Sequence, residues 1–201
     1  MQNRFFLVLA EGFDPSNPSE VSVFTKAAIR LGESQARQHD GKLLVHREMA
    51  THPQGFKLFD RVAAEMDRMW VEYGILPQES TNALTDARAA FDYLQGKPGQ
   101  LQLTLVCYNP EVLLHQLRLY RRVLKYEYPE LWQRLGMGAI AATDVPTVRF
   151  HEAWLYRLWA SAWRLCRNRR SFKLLAGLYT LVTQGRDQAF VGTFTPKGPR
   201  K

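Results

Sequence analysis

Residues 101–128, LQLTLVCYNPEVLLHQLRLYRRVLKYEY, hold the pattern that decides the fold class. Apolar residues alternate with others along Leu101–Cys107, which is typical of a half-buried β-strand. After Pro110 the apolar residues recur at helical spacing instead, and they continue to about Tyr128, where Pro129 disfavours a longer helix. A strand followed by a long amphipathic helix predicts a layered fold in which helices cover a sheet.

The alternation of strands and helices extends outward along the chain in both directions. Strands are predicted at Arg4–Ala10, Lys42–Arg47 and Ala189–Thr195, and loops at Pro77–Thr81 and Gly136–Val148. Helices are predicted from Pro18 behind an Asn17 N-cap, over Phe56–Tyr73 and Leu84–Leu94, and from about Thr147 to Thr183 with a break near Asn168–Ser171 or Gly177. We therefore expect an α/β or α+β fold with a small sheet of about four strands, a majority of helices and a helix-rich C-terminal half.

Length and composition fit one globular domain. The chain has 201 residues, of which 46% are hydrophobic and 23% charged, enough for one sizeable core. We expect a single domain over residues 1–195, acidic-leaning over 1–100 and basic over 101–195, followed by a disordered basic tail over 196–201.

The apolar runs and the cysteines bear on the compartment. The longest relevant apolar run, Phe5–Ala10, is far shorter than the roughly 20 residues that cross a membrane, so no membrane partner is expected. Cys107 and Cys166 are too few for a disulfide scaffold and have no metal-binding spacing, which favours a reducing, cytoplasmic location.

The charge is distributed unequally along the sequence. Residues 1–100 carry 11 Lys and Arg against 13 Asp and Glu, whereas residues 101–201 carry 16 against 6. The net charges of −2 and +10 indicate a surface for nucleic acid, anionic lipid or an acidic protein in the second half.

The helix after Pro110 carries one cationic stripe. Arg118, Arg121, Arg122 and Lys125 stand at i, i+3, i+4 and i+7, beside the predicted core residues Leu113, Leu117, Tyr120 and Leu124. Like charges at these spacings repel by a few tenths of a kcal/mol per pair, so helix stability does not favour them. An anionic partner would relieve this repulsion.

A second predicted helix combines arginines with aromatic residues. The candidate phosphate contacts there are Arg157, Arg164, Arg167 and Arg170, and the candidate stacking residues are Tyr156 and Trp163. The predicted apolar side consists of Leu155, Leu158, Trp159, Ala162 and Cys166. Arginines interleaved with aromatic rings favour single-stranded nucleic acid, and RNA or single-stranded DNA is therefore the preferred partner. The alternative is an ordinary surface helix, whose apolar side packs on the core and whose arginines lie in solvent.

Catalytic motifs give little support for an enzyme. Histidines and acids cluster at His39, Asp40, His46, Glu48 and His52, but their spacing matches no standard metal site. No cofactor is predicted.

The leading hypothesis is a non-catalytic nucleic-acid-binding subunit of a larger nucleoprotein complex or of mobile-element machinery. The alternatives are a protein–protein adaptor or assembly subunit, and an enzyme whose site the sequence does not disclose.

Overall fold

The fold is a five-stranded parallel sheet covered by helices. A computed structural model describes residues 3–10, 12–14, 16–48, 51–142 and 153–183. The strands are β1 (Asn3–Val8), β2 (Lys42–Glu48), β3 (Tyr73–Ser80), β4 (Leu101–Cys107) and β5 (Leu135–Ala141). The helices are α1 (Val23–Gln38), α2 (Leu58–Arg68), α3 (Ala83–Gln95), α4 (Pro110–Glu127), α5 (Pro129–Trp132), α6 (Ala153–Leu165) and α7 (Arg169–Thr183). The predicted α/β class is confirmed, with five strands where about four were expected.

The sheet is doubly wound around β1. Its strand order is β3-β2-β1-β4-β5, and all four neighbouring pairs are parallel. The connection from β1 leads by way of α1 to β2, whereas the connection from β3 returns by way of α3 to β4. The strand order therefore reverses between β1 and β4, and loops at the carboxyl ends of these strands diverge there.

Alternation along the strands builds a core on each face of the sheet. Phe6 and Val8 of β1 pack with α1 and α2, and Phe5 and Leu7 pack with α3 and α4. Helix α1 lies close to the sheet because residue 32 is glycine: a Cβ there would come 2.8 Å from Leu43 Cδ1. Helices α6 and α7 pack outside this layered unit, against α4.

Two edge strands were wrongly predicted as loops. β3 contains Pro77, which a sheet tolerates at its edge because none of the described strands pairs with β3 on its outer side and requires the missing N–H. β5, on the opposite edge, contains Gly136 and Gly138, which lower strand propensity. Pairing with β2 and β4 overrides these local preferences.

Several element ends differ from the sequence prediction. Helix α1 begins behind Ser22, whose side chain accepts a hydrogen bond from the Thr25 N–H, and not behind Asn17. Helix α2 ends at Arg68, before the predicted end at Tyr73, and Trp70 beyond it is 89% exposed with φ 55°. The predicted break near residue 168 is confirmed between α6 and α7. The predicted strand Ala189–Thr195 and the tail 196–201 lie outside the described residues.

Candidate functional site

Helices α4 and α6 meet along a ladder of side-chain to backbone hydrogen bonds. The Arg118 Nη1 donates to the carbonyl oxygen of Ala160 at 3.0 Å. One turn later, Arg122 donates from Nε to Trp163 O at 2.8 Å and from Nη2 to Arg164 O at 2.9 Å. These contacts advance along both helices in the same direction. The fold thus brings the two basic helices of the sequence analysis side by side.

Two of the predicted phosphate contacts have partners inside the protein. The half-buried Arg118 and Arg122 point towards α6, and Arg122 binds carbonyls in its last turn. Those carbonyls have no partner within the helix and form its negative end. Backbone oxygens therefore offset part of the repulsion that the sequence analysis assigned to an external anion.

The remaining predicted cations point to solvent. Arg121 and Lys125 are exposed on α4, and Arg121 also donates to Met137 O at 3.2 Å. Arg157 and Arg164 are exposed two helical turns apart, and so lie on one side of α6. Arg167 and Arg170 are exposed where α6 gives way to α7. We call the six exposed residues the basic surface: Arg121, Lys125, Arg157, Arg164, Arg167 and Arg170.

Carboxylates are scarce around the basic surface. Residues 153–183, which span α6 and α7, contain six Arg and Lys and no Asp or Glu. Of the carboxylates that the structure describes, none lies within 4.0 Å of the charged nitrogens of Arg121, Lys125, Arg164, Arg167 or Arg170. Elsewhere such pairs do occur, as between Lys26 and Glu20 and between Arg88 and Glu127. These five residues therefore keep their positive potential.

The two predicted stacking residues do not offer open ring faces. Trp163 is 0% exposed and packs against Trp159, Phe172 and Tyr179. Tyr156 is half-buried beside His115, with ring centroids 5.8 Å apart. Trp163 is thus a core residue, because α7 covers the side of α6 on which it lies. This is a correction to the sequence analysis, which placed Trp163 at the surface.

A buried polar cluster, which the sequence analysis did not identify as a unit, lies near the carboxyl ends of β2 and β3. His46 Nε2 is 3.0 Å from the Tyr120 hydroxyl oxygen, and His46 Nδ1 is 3.9 Å from Asp86 Oδ1. Ser80 ends β3 beside Asp86. We call His46, Ser80, Asp86 and Tyr120 the His46 cluster. The histidine was visible in the sequence, but its partners come from positions 34 to 74 residues away.

Burial shifts both titratable groups of the His46 cluster towards their uncharged forms. It lowers the pKa of His46 to about 3 and raises the pKa of Asp86 to about 7, although the Ser80 hydroxyl acts on Asp86 in the opposite direction. His46 Nδ1 and Asp86 Oδ1 are buried and have no hydrogen-bond partner among the described residues. Burial therefore favours the neutral forms of both groups.

The described part of the chain has neither a cluster of metal-ligating side chains nor a membrane-spanning helix. Among the described residues, no group of three or more His, Cys, Asp or Glu could hold a metal ion. No helix described within them is long and apolar enough to cross a membrane.

Comparison with models of known protein families, with curated proteins and with solved structures finds no match for this chain. The features of the described residues that bear on function are the basic surface, the His46 cluster and the remaining exposed surface.

Proposed function

We propose that this chain is a non-catalytic nucleic-acid-binding subunit of a larger nucleoprotein complex, and that it grips the phosphate backbone with the basic surface. The observation that carries the proposal is that exposed cations lie on three helices that contact one another, α4, α6 and α7. Of the carboxylates that the structure describes, none lies within 4.0 Å of the charged nitrogens of Arg121, Lys125 or Arg164. Such a field attracts polyanions irrespective of their sequence.

The geometry favours phosphate contacts over base stacking. Because Trp163 is in the core and Tyr156 is half-buried, stacking contributes less than the sequence analysis expected. Exposed arginines, in contrast, present several N–H donors that match phosphate oxygens. We therefore expect binding that tolerates sequence changes and weakens steeply with salt.

A titration of a fluorescein-labelled 16-nucleotide single-stranded RNA at several salt concentrations tests this proposal. The logarithm of the association constant should fall linearly with the logarithm of salt concentration, with a slope of about −0.7 for each phosphate contacted. The double reversal Arg121→Glu/Arg164→Glu should weaken binding by about tenfold or more at 0.1 M salt. Unchanged affinity in this variant would overturn the proposal.

A matched variant separates local contacts from overall charge. Arg30 and Lys42 are exposed in α1 and β2, away from the α4–α6 pair. Arg30→Glu/Lys42→Glu changes the net charge by the same amount, and we expect it to alter affinity far less. Equal loss in both double variants would mean that only the net charge matters, and would reject the basic surface as the site.

A second candidate function is supported by the His46 cluster. In parallel α/β sheets, small ligands bind outside the carboxyl ends of strands. The buried atoms His46 Nδ1 and Asp86 Oδ1 lie near that edge, and neither has a hydrogen-bond partner within the described part of the chain. Because burial favours the uncharged forms of both groups, they suit a hydroxyl or amide group of a ligand better than a phosphate. This candidate corresponds to the enzyme alternative of the sequence analysis.

A thermal-shift screen of nucleosides and monosaccharides at pH 6 tests the second candidate. A ligand should raise the Tm of the wild-type protein and leave the Tm of Asp86→Asn unchanged. The exposed-site variant Asp60→Asn should respond like the wild type. A panel without any such ligand would count against a binding role and leave the cluster a structural feature.

A further inference from the structure

Leucines are exposed on both α6 and α7, two helices that contact each other. On α7, Phe172, Ala176 and Tyr179 are buried against the core. Leu174, Leu178 and Leu181 repeat the same spacing on the opposite side, and they are 77%, 53% and 74% exposed. Leu158 and Leu165 of α6 are 57% and 71% exposed, although the sequence analysis placed Leu158 in the apolar core side. We call these five residues the leucine ridge.

The leucine ridge has no acidic neighbours along its own helices. Residues 153–183 contribute six cations and no carboxylate, and Lys173 is exposed next to Leu174. On α6, Arg157 and Arg164 immediately precede Leu158 and Leu165. Positive charge therefore accompanies the exposed leucines of α6 and the first exposed leucine of α7, whereas residues 174–183 carry no charge.

The shape and charge of the ridge exclude some occupants. In a dimer formed through the leucine ridge, the cations of α6 and α7 from both copies would lie close together. Their repulsion would oppose association. A groove that receives a partner helix would shield its lining, whereas exposures above 70% at three of the five leucines mark a protruding ridge. The partner must accept protruding apolar side chains and carry negative charge.

We propose that α6 and α7 dock on an anionic lipid bilayer surface, with the leucine ridge inserted at the boundary between headgroups and acyl chains and the flanking cations on lipid phosphates. Leucine on one face and Arg or Lys on its flank is the composition of helices that lie in a membrane interface. Long basic side chains reach headgroups while their stems lie on apolar surface. This inference does not require a spanning helix. It shares Arg157 and Arg164 with the basic surface, but the leucines themselves have no part in the proposed nucleic-acid binding.

Flotation of the full chain with 100 nm phosphatidylcholine vesicles, with and without 30% phosphatidylglycerol, tests the docking. We expect binding to the anionic vesicles and little binding to pure phosphatidylcholine, because both charge and apolar insertion contribute. The variant Leu174→Ser/Leu178→Ser/Leu181→Ser should lower the partition coefficient by about tenfold or more. Circular dichroism and the urea midpoint of each variant verify that it folds.

The control is Val23→Ser, which removes a 52%-exposed apolar side chain on α1 and should leave partitioning unchanged. Wild-type protein that does not float with anionic vesicles would overturn the proposal. So would a triple serine variant that floats like wild type, because adsorption would then rest on charge alone. Light scattering that finds a wild-type dimer, converted to monomer by the same substitutions, would assign the ridge to self-association and reject the bilayer.

RNA affinity measured on the same proteins separates this inference from the proposed function. The triple serine variant retains every residue of the basic surface, so its RNA affinity should equal that of the wild type. Loss of RNA binding without loss of flotation, in Arg121→Glu/Lys125→Glu on α4, would identify two separate surfaces.

Discussion

Arg122 of α4 closes the C-terminal end of α6, 41 and 42 residues away along the chain. Its Nε lies 2.8 Å from Trp163 O and its Nη2 lies 2.9 Å from Arg164 O. The last carbonyls of a helix lack partners within the helix and carry partial negative charge. The Arg122 guanidinium group supplies hydrogen-bond donors to these carbonyls and a positive charge beside them. Arg122 therefore fixes α6 on α4 and also positions the backbone of Arg164.

Arg122→Ala should destabilise the protein even though the side chain is only half-buried. Two hydrogen bonds to a charged donor are lost and two carbonyls lose their partner, so we expect a decrease of about 1–3 kcal/mol in the free energy of unfolding. Urea unfolding measures this decrease. Arg121→Ala, on the exposed side of α4, should change it by less than about 0.5 kcal/mol. Equal effects of both substitutions would show that the hydrogen bonds from Arg122 to α6 do not add to the free energy of unfolding.

Trp163 should behave as a core residue and not as a base-stacking residue. Its side chain is 0% exposed, and its indole N–H has no partner among the described residues. Trp163→Ala should cost about 3–5 kcal/mol because it leaves a large cavity. Trp163→Phe should cost less, since it keeps an aromatic ring and removes a buried donor.

Nucleic-acid affinity distinguishes the two roles of Trp163. The folded Trp163→Phe variant should bind the single-stranded RNA with wild-type affinity in the titration described above. Loss of affinity at unchanged stability would restore the stacking role.

The sequence predicted the centre of the fold better than its edges. Leu101–Cys107 and the helix after Pro110 were correctly predicted, because burial imposes a strong apolar period on a central strand and on its covering helix. Edge strands are buried less and tolerate proline and glycine, so β3 and β5 have a weak pattern. Their pairing depends on distant residues.

Prediction of the candidate site was limited for a similar reason. Helical spacing correctly placed Arg118, Arg121 and Arg122 beside one another on α4. It could not show that α6 lies next to two of them, nor that α7 buries Trp163 and leaves Leu158 exposed. One amphipathic helix reveals its own faces, but the neighbour that covers each face is specified elsewhere in the chain.

Tyr120→Phe tests whether the His46 cluster stabilises the fold. The substitution removes the hydroxyl that lies 3.0 Å from His46 Nε2 and leaves the ring, which contacts Phe91 edge-on. A buried histidine nitrogen then loses a partner, so we expect a loss of about 1–3 kcal/mol in urea unfolding at pH 7. Tyr126→Phe, which removes a 3.4 Å contact to Cys166 O in a half-buried position, should cost less. The reverse order would contradict a stabilising role for the Tyr120–His46 bond.

Asp86 should make stability depend on pH in a direction opposite to that of most carboxylates. Burial raises its pKa from 3.8 to about 7 in the folded protein, so the folded state holds this proton more tightly than the unfolded chain. Its favourable contribution is complete below pH 3.8 and is lost as pH rises to about 7. His46 acts oppositely, because its lowered pKa of about 3 reduces stability as pH falls below 6.5.

Asp86→Asn isolates the carboxyl group from these other titrations. The free energy of unfolding of the variant minus that of the wild type should increase between pH 4 and pH 8, by at most about 1.4 kcal/mol per pH unit for one proton. Urea unfolding at six pH values measures the difference, and Asp60→Asn, at an exposed position of α2, should give a flat difference. Parallel pH profiles for Asp86→Asn and wild type would mean that Asp86 ionises as readily in the folded protein as in the unfolded chain. The carboxyl group would then be hydrated, which is incompatible with a dry His46 cluster and favours an open site at the carboxyl edge.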